Sequence, residues 1–200
     1  KIDDINNLGS IKLRVRSLVE SLKYNHQNAQ AASNHAFVTT RPFTRADKKR
    51  KILVPFFTGF VSPLIPAAFE VAGYQVETLP VSTITSADYG LKYANNEVCY
   101  PATLVVGDLV KALSSGQYDL EQTAVAITQT GGQCRATNYI ALIKKALIDA
   151  GFSQVPVVSI AMSGDMHNEQ PGFKISWVKV LPIALAIVLY ADCIAQFYYA

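Results

Sequence analysis

Thr123 to Thr128 (Thr-Ala-Val-Ala-Ile-Thr) is a β-favouring run without a charge, and it restricts the possible folds of this chain more than any other stretch. A strand that shows no polar alternation is covered on both faces, as a central strand of a parallel sheet must be. Parallel neighbours are joined by crossovers, usually helices, so the rest of the chain has to alternate strand with helix.

The order of residues meets that requirement. Lys51 to Phe57 is an apolar run of strand length. Ser62-Pro63 then marks a helix start, because serine caps free N–H groups and proline suits the first turn. That helix runs to Ala72 and stops at Gly73, and Tyr74 to Leu79 reads as a second strand. Ser82 to Tyr93 is turn-rich. Pro101 to Leu113 carries Leu104, Val105, Leu109 and Leu113 on roughly one helical face, and Ser114-Ser115-Gly116 ends it. After Thr128 comes a Gly-rich loop, then a helix from about Ala136 to Ala150 terminated by Gly151. Val155 to Ala161 is another uncharged strand, Ser163 to Gly172 a polar loop, and Ile175 to Gln196 a helix with Pro182 near its start or kinking it. The expected fold is therefore a three-layer α/β domain, Rossmann- or flavodoxin-like, with a mostly parallel sheet. Ligands in such sheets bind at the carboxyl ends of the strands, near a topological switch point.

Ahead of this domain, Ile11, Val15, Leu18, Val19 and Leu22 fall at helical spacing after a capping Ser10. Gln27 to Lys49 reads as a polar connection. The expected division is 1–50 as N-terminal helix and linker and 51–200 as the α/β domain. The basic run Lys48-Lys49-Arg50-Lys51 reads as a solvated linker before the first strand.

Composition bounds the function. Half of the 200 residues are hydrophobic, 16% are charged, and the net charge is +3. That charge is too small to argue for nucleic acid or an anionic membrane surface. The apolar run from Val180 to Ala191 is twelve residues, holds Pro182 and ends at Asp192, short of the roughly 20 a span needs; it is expected to be a buried helix. Three cysteines make no disulfide framework, and no apolar signal segment follows Lys1 to Asn7. A reducing, cytoplasmic setting is expected. The apolar ending Phe197-Tyr198-Tyr199-Ala200 leads to the expectation of a piece of a longer polypeptide.

Two cysteines stand in positions suited to chemistry. Cys99 lies in Asn95-Asn96-Glu97-Val98-Cys99-Tyr100-Pro101, and Cys134 in Thr130-Gly131-Gly132-Gln133-Cys134-Arg135-Ala136-Thr137-Asn138-Tyr139. Each precedes a helical stretch, where free N–H groups and the helix dipole stabilise a thiolate. Iron or zinc ligation, a dithiol or nucleophilic role, and plain structural cysteines are the open readings. Two thiolates alone complete neither a zinc site nor a cubane. His167 could add a ligand. Gly131 and Gly132 would let the backbone approach something bound beside Cys134. The loop matches neither the phosphate-binding nor the dinucleotide fingerprint. Arg135 would offset thiolate charge or form a surface ion pair, and Asn95, Asn96 and Glu97 bind ligand or shape a turn. Cys193, inside the apolar last helix, reads as a buried structural cysteine. His26 and His35 carry no chemistry on this reading.

The stretches Tyr93 to Pro101 and Gln129 to Tyr139 resemble the C-terminal part of the large 2-hydroxyacyl-CoA dehydratase activase-related proteins. The similarity continues through Pro156-Val157-Val158-Ser159 and Pro171-Gly172-Phe173-Lys174, so it covers roughly residues 50 to 190. The resemblance implies a dehydratase-like, anaerobe protein in which cysteines hold a [4Fe–4S] cluster. Cys99 and Cys134 would carry over as ligands, with Asn96, Glu97, Tyr100, Pro101, Gly131, Gly132, Gln133, Arg135 and Asn138 around them. A third family cysteine, from a later subdomain, has no match here. The implied partners are an ATP-dependent activator domain or dehydratase subunit, which passes one electron to the cluster, and an acyl-CoA. The activator's own ATP-binding loops have no counterpart in this sequence. The alternative is a non-catalytic scaffold whose edge binds a partner or CoA-like ligand and whose cysteines are vestigial.

Overall fold

The computed structural model describes residues 39–94, 98–129, 135–161 and 168–200. The chain divides into two units, 1–38 and 39–200. The helix expected between Ser10 and Ala31, with His26 and His35, lies outside the described residues.

Four strands form one parallel sheet in the order β2-β1-β3-β4: β1 Lys51–Val54, β2 Gln75–Thr78, β3 Thr123–Thr128 and β4 Val157–Ile160. Register pairs Ile52 with Val76 on one side and with Ala124 on the other, and Ala126 with Val158. This is the Rossmann/flavodoxin-like α/β arrangement. The chain goes from β1 outward to β2, then crosses back over β1 to β3, so the switch point lies between β1 and β3. Thr123 to Ile127 are all buried, which is why the run tolerates no charge.

Side chains alternate across the sheet and make two cores. Leu53, Val125, Ile127 and Val157 face one layer, against Val106, Leu109, Val110, Leu113, Ile143 and Leu147. That layer holds α2 (Ile84–Tyr93), α3 (Tyr100–Ser114) and α4 (Tyr139–Asp149). Ile52, Val54, Ala124, Ala126 and Val158 face the other, with Phe43, Tyr74, Ile65 and Phe69. That side holds α1 (Ile65–Glu70), against which the last helix, α5 (Trp177–Tyr199), also packs.

Three expectations are corrected. First, Ser82 to Tyr93 is mostly helix: Ile84–Tyr93 folds as α2, with the Ser86 hydroxyl accepting the Thr83 N–H at 3.0 Å. Its fully buried residues are Ser86 and Gly90, with Tyr89 and Tyr93 packed partly buried on the same face, so the aliphatic signal of a buried helix face is weak. A Cβ on Gly90 would lie 2.0 Å from the Thr103 carbonyl oxygen of α3, and one on Gly107 of α3 would lie 1.8 Å from the Ser86 carbonyl oxygen. The two helices touch backbone to backbone.

Second, the domain does not begin at Lys51. The compact unit starts at Thr39, and Phe43, Asp47 and Arg50 are buried in it. The Arg41 N–H donates to the Ser153 carbonyl and the Gly172 N–H to the Phe43 carbonyl. Arg50, expected in a solvated run, donates Nε to Asp47 at 2.6 Å and Nη1 to the carbonyls of Leu120 and Thr123 at 3.0 and 2.9 Å. The basic run is amphipathic in effect: Arg50 turns inward while Lys49 remains outside. Third, α5 is not a buried helix. Val180 and Ala191 are its buried residues, and Cys193, expected in the core, is exposed.

Elsewhere the boundaries shift slightly. Ser62 begins a tight turn (Ser62–Leu64), and its hydroxyl accepts the N–H groups of Phe57 and Thr58 at 2.8 and 3.1 Å, shaping the loop after β1. Arg135–Asn138 is a 3-10 turn before α4, and Gly151 after it has φ +84°, the left-handed geometry that ends the helix.

The Asp47 carboxylate is the anchor of the N-terminal strap. Burial pushes its pKa up, but the Thr44 hydroxyl and N–H, Arg50 and the charge of Arg41 outweigh that and hold it below 3.8. A depressed carboxylate stabilises the fold above its unfolded pKa and loses that contribution as pH falls through the folded value. Asp47→Ala should therefore cost about 3–5 kcal/mol in denaturant unfolding at pH 7, because Arg50 keeps its burial and loses its partner. Asp47→Asn should flatten the loss of stability that wild type shows below about pH 4.

Candidate functional site

The α2–α3 contact decides where Cys99 stands. α3 leads through the turn Leu120–Gln122 into the start of β3, so its N-terminus lies at the carboxyl edge of the sheet. α4 follows β3 directly and begins at the same edge. Cys99 is the N-cap residue of α3, with an extended backbone, and its carbonyl accepts the N–H groups of Ala102 and Thr103. Cys99 therefore stands at the carboxyl edge of the sheet.

Between the first turns of α3 and α4 is a cleft of about 450 Å³, lined by Val98, Cys99, Ala102, Asn138, Tyr139, Ala141 and Leu142. The Cys99 thiol is half-buried in its wall, 3.0 Å from the Tyr139 hydroxyl in a hydrogen bond. The lining is otherwise largely apolar. Such a cleft offers one sulfur donor, one hydroxyl and the Asn138 amide to a ligand, with few competing oxygens.

The other expected residues divide. Asn138 belongs to the cleft. Arg135 opens the turn that leads to it. Tyr100 and Pro101 are exposed at the start of α3. Tyr100 turns to a different depression, shared with Ser82, Thr83, Ile84, Thr85 and Leu104. Asn95, Asn96, Glu97, Gly131, Gly132, Gln133, Cys134 and His167 lie outside the described residues. Cys193 belongs to α5 and lines no part of the cleft. Among the described residues no group of three or more His, Cys, Asp or Glu side chains comes together as a metal site.

Two residues to which the sequence assigned no role organise the site's surroundings. Tyr139 is one. It was legible only as the end of a motif, since its partner Cys99 is forty positions away. Gln129 is the other. Its side-chain N–H donates to the Thr137 carbonyl at 2.7 Å, so it ties the end of β3 to the turn before α4. The Ser159 hydroxyl donates in turn to the Gln129 side-chain oxygen. The Gln170 amide then pairs with both the N–H and the carbonyl of Ser159, at 2.7 and 2.8 Å, as a neighbouring strand would. Asn168 donates to the Val157 carbonyl at 2.9 Å. Side chains thus occupy the open edge of β4, a position otherwise prone to pairing with another chain.

Comparison with protein-family models, curated proteins and solved structures returned no match.

Gly107→Ala is informative here because its two effects oppose each other. In an exposed helix alanine would add about 0.5–1 kcal/mol of stability. Against Ser86 it must push α2 and α3 apart, and a net destabilisation of roughly 1–3 kcal/mol is expected in urea unfolding. Gln129→Leu should cost about 1–3 kcal/mol by stranding a carbonyl and a hydroxyl, and should increase proteolytic cleavage between β3 and α4.

Proposed function

We propose that this chain is the iron–sulfur-binding domain of a 2-hydroxyacyl-CoA dehydratase or activase-related protein, taking part in low-potential electron transfer driven by ATP hydrolysis on a partner. The observation that carries the reading is the position of Cys99: at the carboxyl edge, at a helix start, in the wall of an apolar cleft whose other wall is the helix following Cys134 in sequence. Cys99 and Cys134 are two cluster ligands on this reading.

The residues present fit one side of such a group. A thiolate at Cys99 sits where the α3 dipole favours negative charge. Tyr139 holds the sulfur in orientation through its hydroxyl, as outer-shell partners do for metal ligands. Val98, Ala102, Ala141 and Leu142 limit water at the sulfur, and low solvent exposure is one of the levers on cluster potential. A cluster bound there would supply one-electron chemistry; the ligands beyond Cys99 are not among the described residues. Arg135 and Asn138, on the turn after Cys134, would position or offset charge at the same edge. An acyl-CoA and an ATP-hydrolysing activator are the partners this reading requires.

Anaerobic reconstitution with iron and sulfide tests it. Wild type should take up iron and show a visible charge-transfer band. Cys99→Ala and Cys134→Ala should each lose both, and Cys193→Ala should keep them. A wild-type protein that takes up no iron would remove the cluster reading and leave the non-catalytic module, with its carboxyl edge serving a partner or a CoA-like ligand.

A further inference from the structure

We propose that Gln129 is a positioning residue for the Cys99 sulfur, acting at a distance through the turn Arg135–Asn138 and the Tyr139 hydroxyl. What the sulfur ligates rests on the reading of Cys99 as a cluster ligand; the contacts that hold the sulfur do not.

The relay starts in the sheet. Gln129 follows the last residue of β3, and its N–H donates to the Ile160 carbonyl of β4 at 2.9 Å, so its backbone is fixed. Its side-chain amide is fixed from both ends as well. A backbone carbonyl can only accept, so the end that meets the Thr137 carbonyl at 2.7 Å is the nitrogen. The oxygen is left to accept from the hydroxyl of Ser159, which is itself buried and held by the Gln170 amide. The Thr137 carbonyl is thereby tied to the end of β3, and Tyr139 is two residues further on.

Tyr139 carries that placement into the cleft. It opens α4 and is half-buried against the core layer, with Ile143, Ala146 and Leu147 pinning the helix behind it. Its hydroxyl lies 3.0 Å from the Cys99 sulfur. Either group can donate in that pair while the thiol is protonated; once the sulfur is a thiolate or a metal ligand, only the hydroxyl can. A hydrogen bond to an ionised partner is stronger than a neutral one, and the apolar wall of the cleft leaves little water to replace it. Such a bond weakens steeply as it bends, so a turn released from Gln129 weakens it without removing either partner. The geometry at the sulfur is set from the end of β3, outside the cleft.

The test reads the rate at which iodoacetamide alkylates Cys99 in the unloaded, reduced chain at pH 7. The rate is followed on the Cys99 peptide by mass spectrometry, so Cys134 and Cys193 do not contribute. Tyr139→Phe keeps the ring and its packing and should slow Cys99 about three- to tenfold, because the donor stabilises the reacting thiolate by more than it lowers its nucleophilicity. Gln129→Met, similar in shape but without a donor, should slow it about two- to threefold. Added to Tyr139→Phe, Gln129→Met should slow it no further, a non-additivity that general loosening of the fold does not produce. An unchanged or faster rate in Tyr139→Phe would overturn the proposal, as would a Gln129→Met effect of equal size with and without the hydroxyl. In iron-loaded protein Tyr139→Phe should keep the cluster and move its reduction potential to more negative values, since hydrogen bonds to sulfur favour the reduced state. A wild type that takes up no iron removes the cluster reading alone, and the alkylation rates still decide the role of Gln129.

Discussion

The backbone contact between α2 and α3 is the constraint on which the site depends. Gly90 and Gly107 leave no room for a Cβ, so the helices approach until carbonyl oxygens of one meet α-carbons of the other. This helix pair occupies the crossover from β2 to β3, the longest connection in the sheet, which must pass over β1 to reach its far side. With α3 pinned against α2 and against the core by Val106, Leu109, Val110 and Leu113, its N-terminus has one place to be. Cys99 is carried there. Buried polar groups reinforce the same contact: Lys111 of α3 donates to the Ser86 hydroxyl at 2.6 Å, and Ser82 donates to the buried Asp108 at 2.5 Å. Partners of this kind fix the relative rotation of two helices in a way that apolar contact alone does not.

What the sequence disclosed, it disclosed through burial on two faces. β3 and β4 are short uncharged runs, and β1 is apolar after its exposed first residue Lys51, because helices cover both sides of the sheet; their alternation with helices was enough to name the architecture. α2 escaped because its closest contact is made by small residues, Ser86 and Gly90, and the apolar residues on the same face are the two half-buried tyrosines Tyr89 and Tyr93. The strap from Thr39 to Arg50 escaped for a related reason. Its burial is bought by polar pairing, with Asp47 accepting from Thr44, Arg41 and Arg50, and polar residues read as solvated until their partners are seen. α5 misled in the opposite direction. An apolar helix signals that something covers it, and sequence alone cannot say that its own domain does not.

The candidate site was legible to the same degree. A cysteine preceding a helix is a local pattern, and Cys99 stands where the pattern puts it. Its pairing with Tyr139 is a property of the fold, because two helix starts must first be brought to one edge. Gln129 is harder still: an amide at the end of an apolar strand has no distinguishing neighbour, and its role emerges only from Thr137 and Ser159. Tyr100, adjacent to Cys99 in sequence, turns to another surface because neighbouring residues on a helix point about 100° apart.

The cleft and the exposed helix lie on opposite sides of the sheet. α3 and α4, which form the cleft, pack on the layer facing Leu53 and Val125; α5 packs on α1, whose Ile65 and Phe69 belong to the layer facing Ile52 and Ala124. The loop after β1 leaves the sheet at its carboxyl edge, and its Phe60 meets the end of α5. Ser62 fixes that loop by accepting two of its N–H groups, and the Thr78 hydroxyl at the end of β2 donates to the Ser62 carbonyl at 2.9 Å.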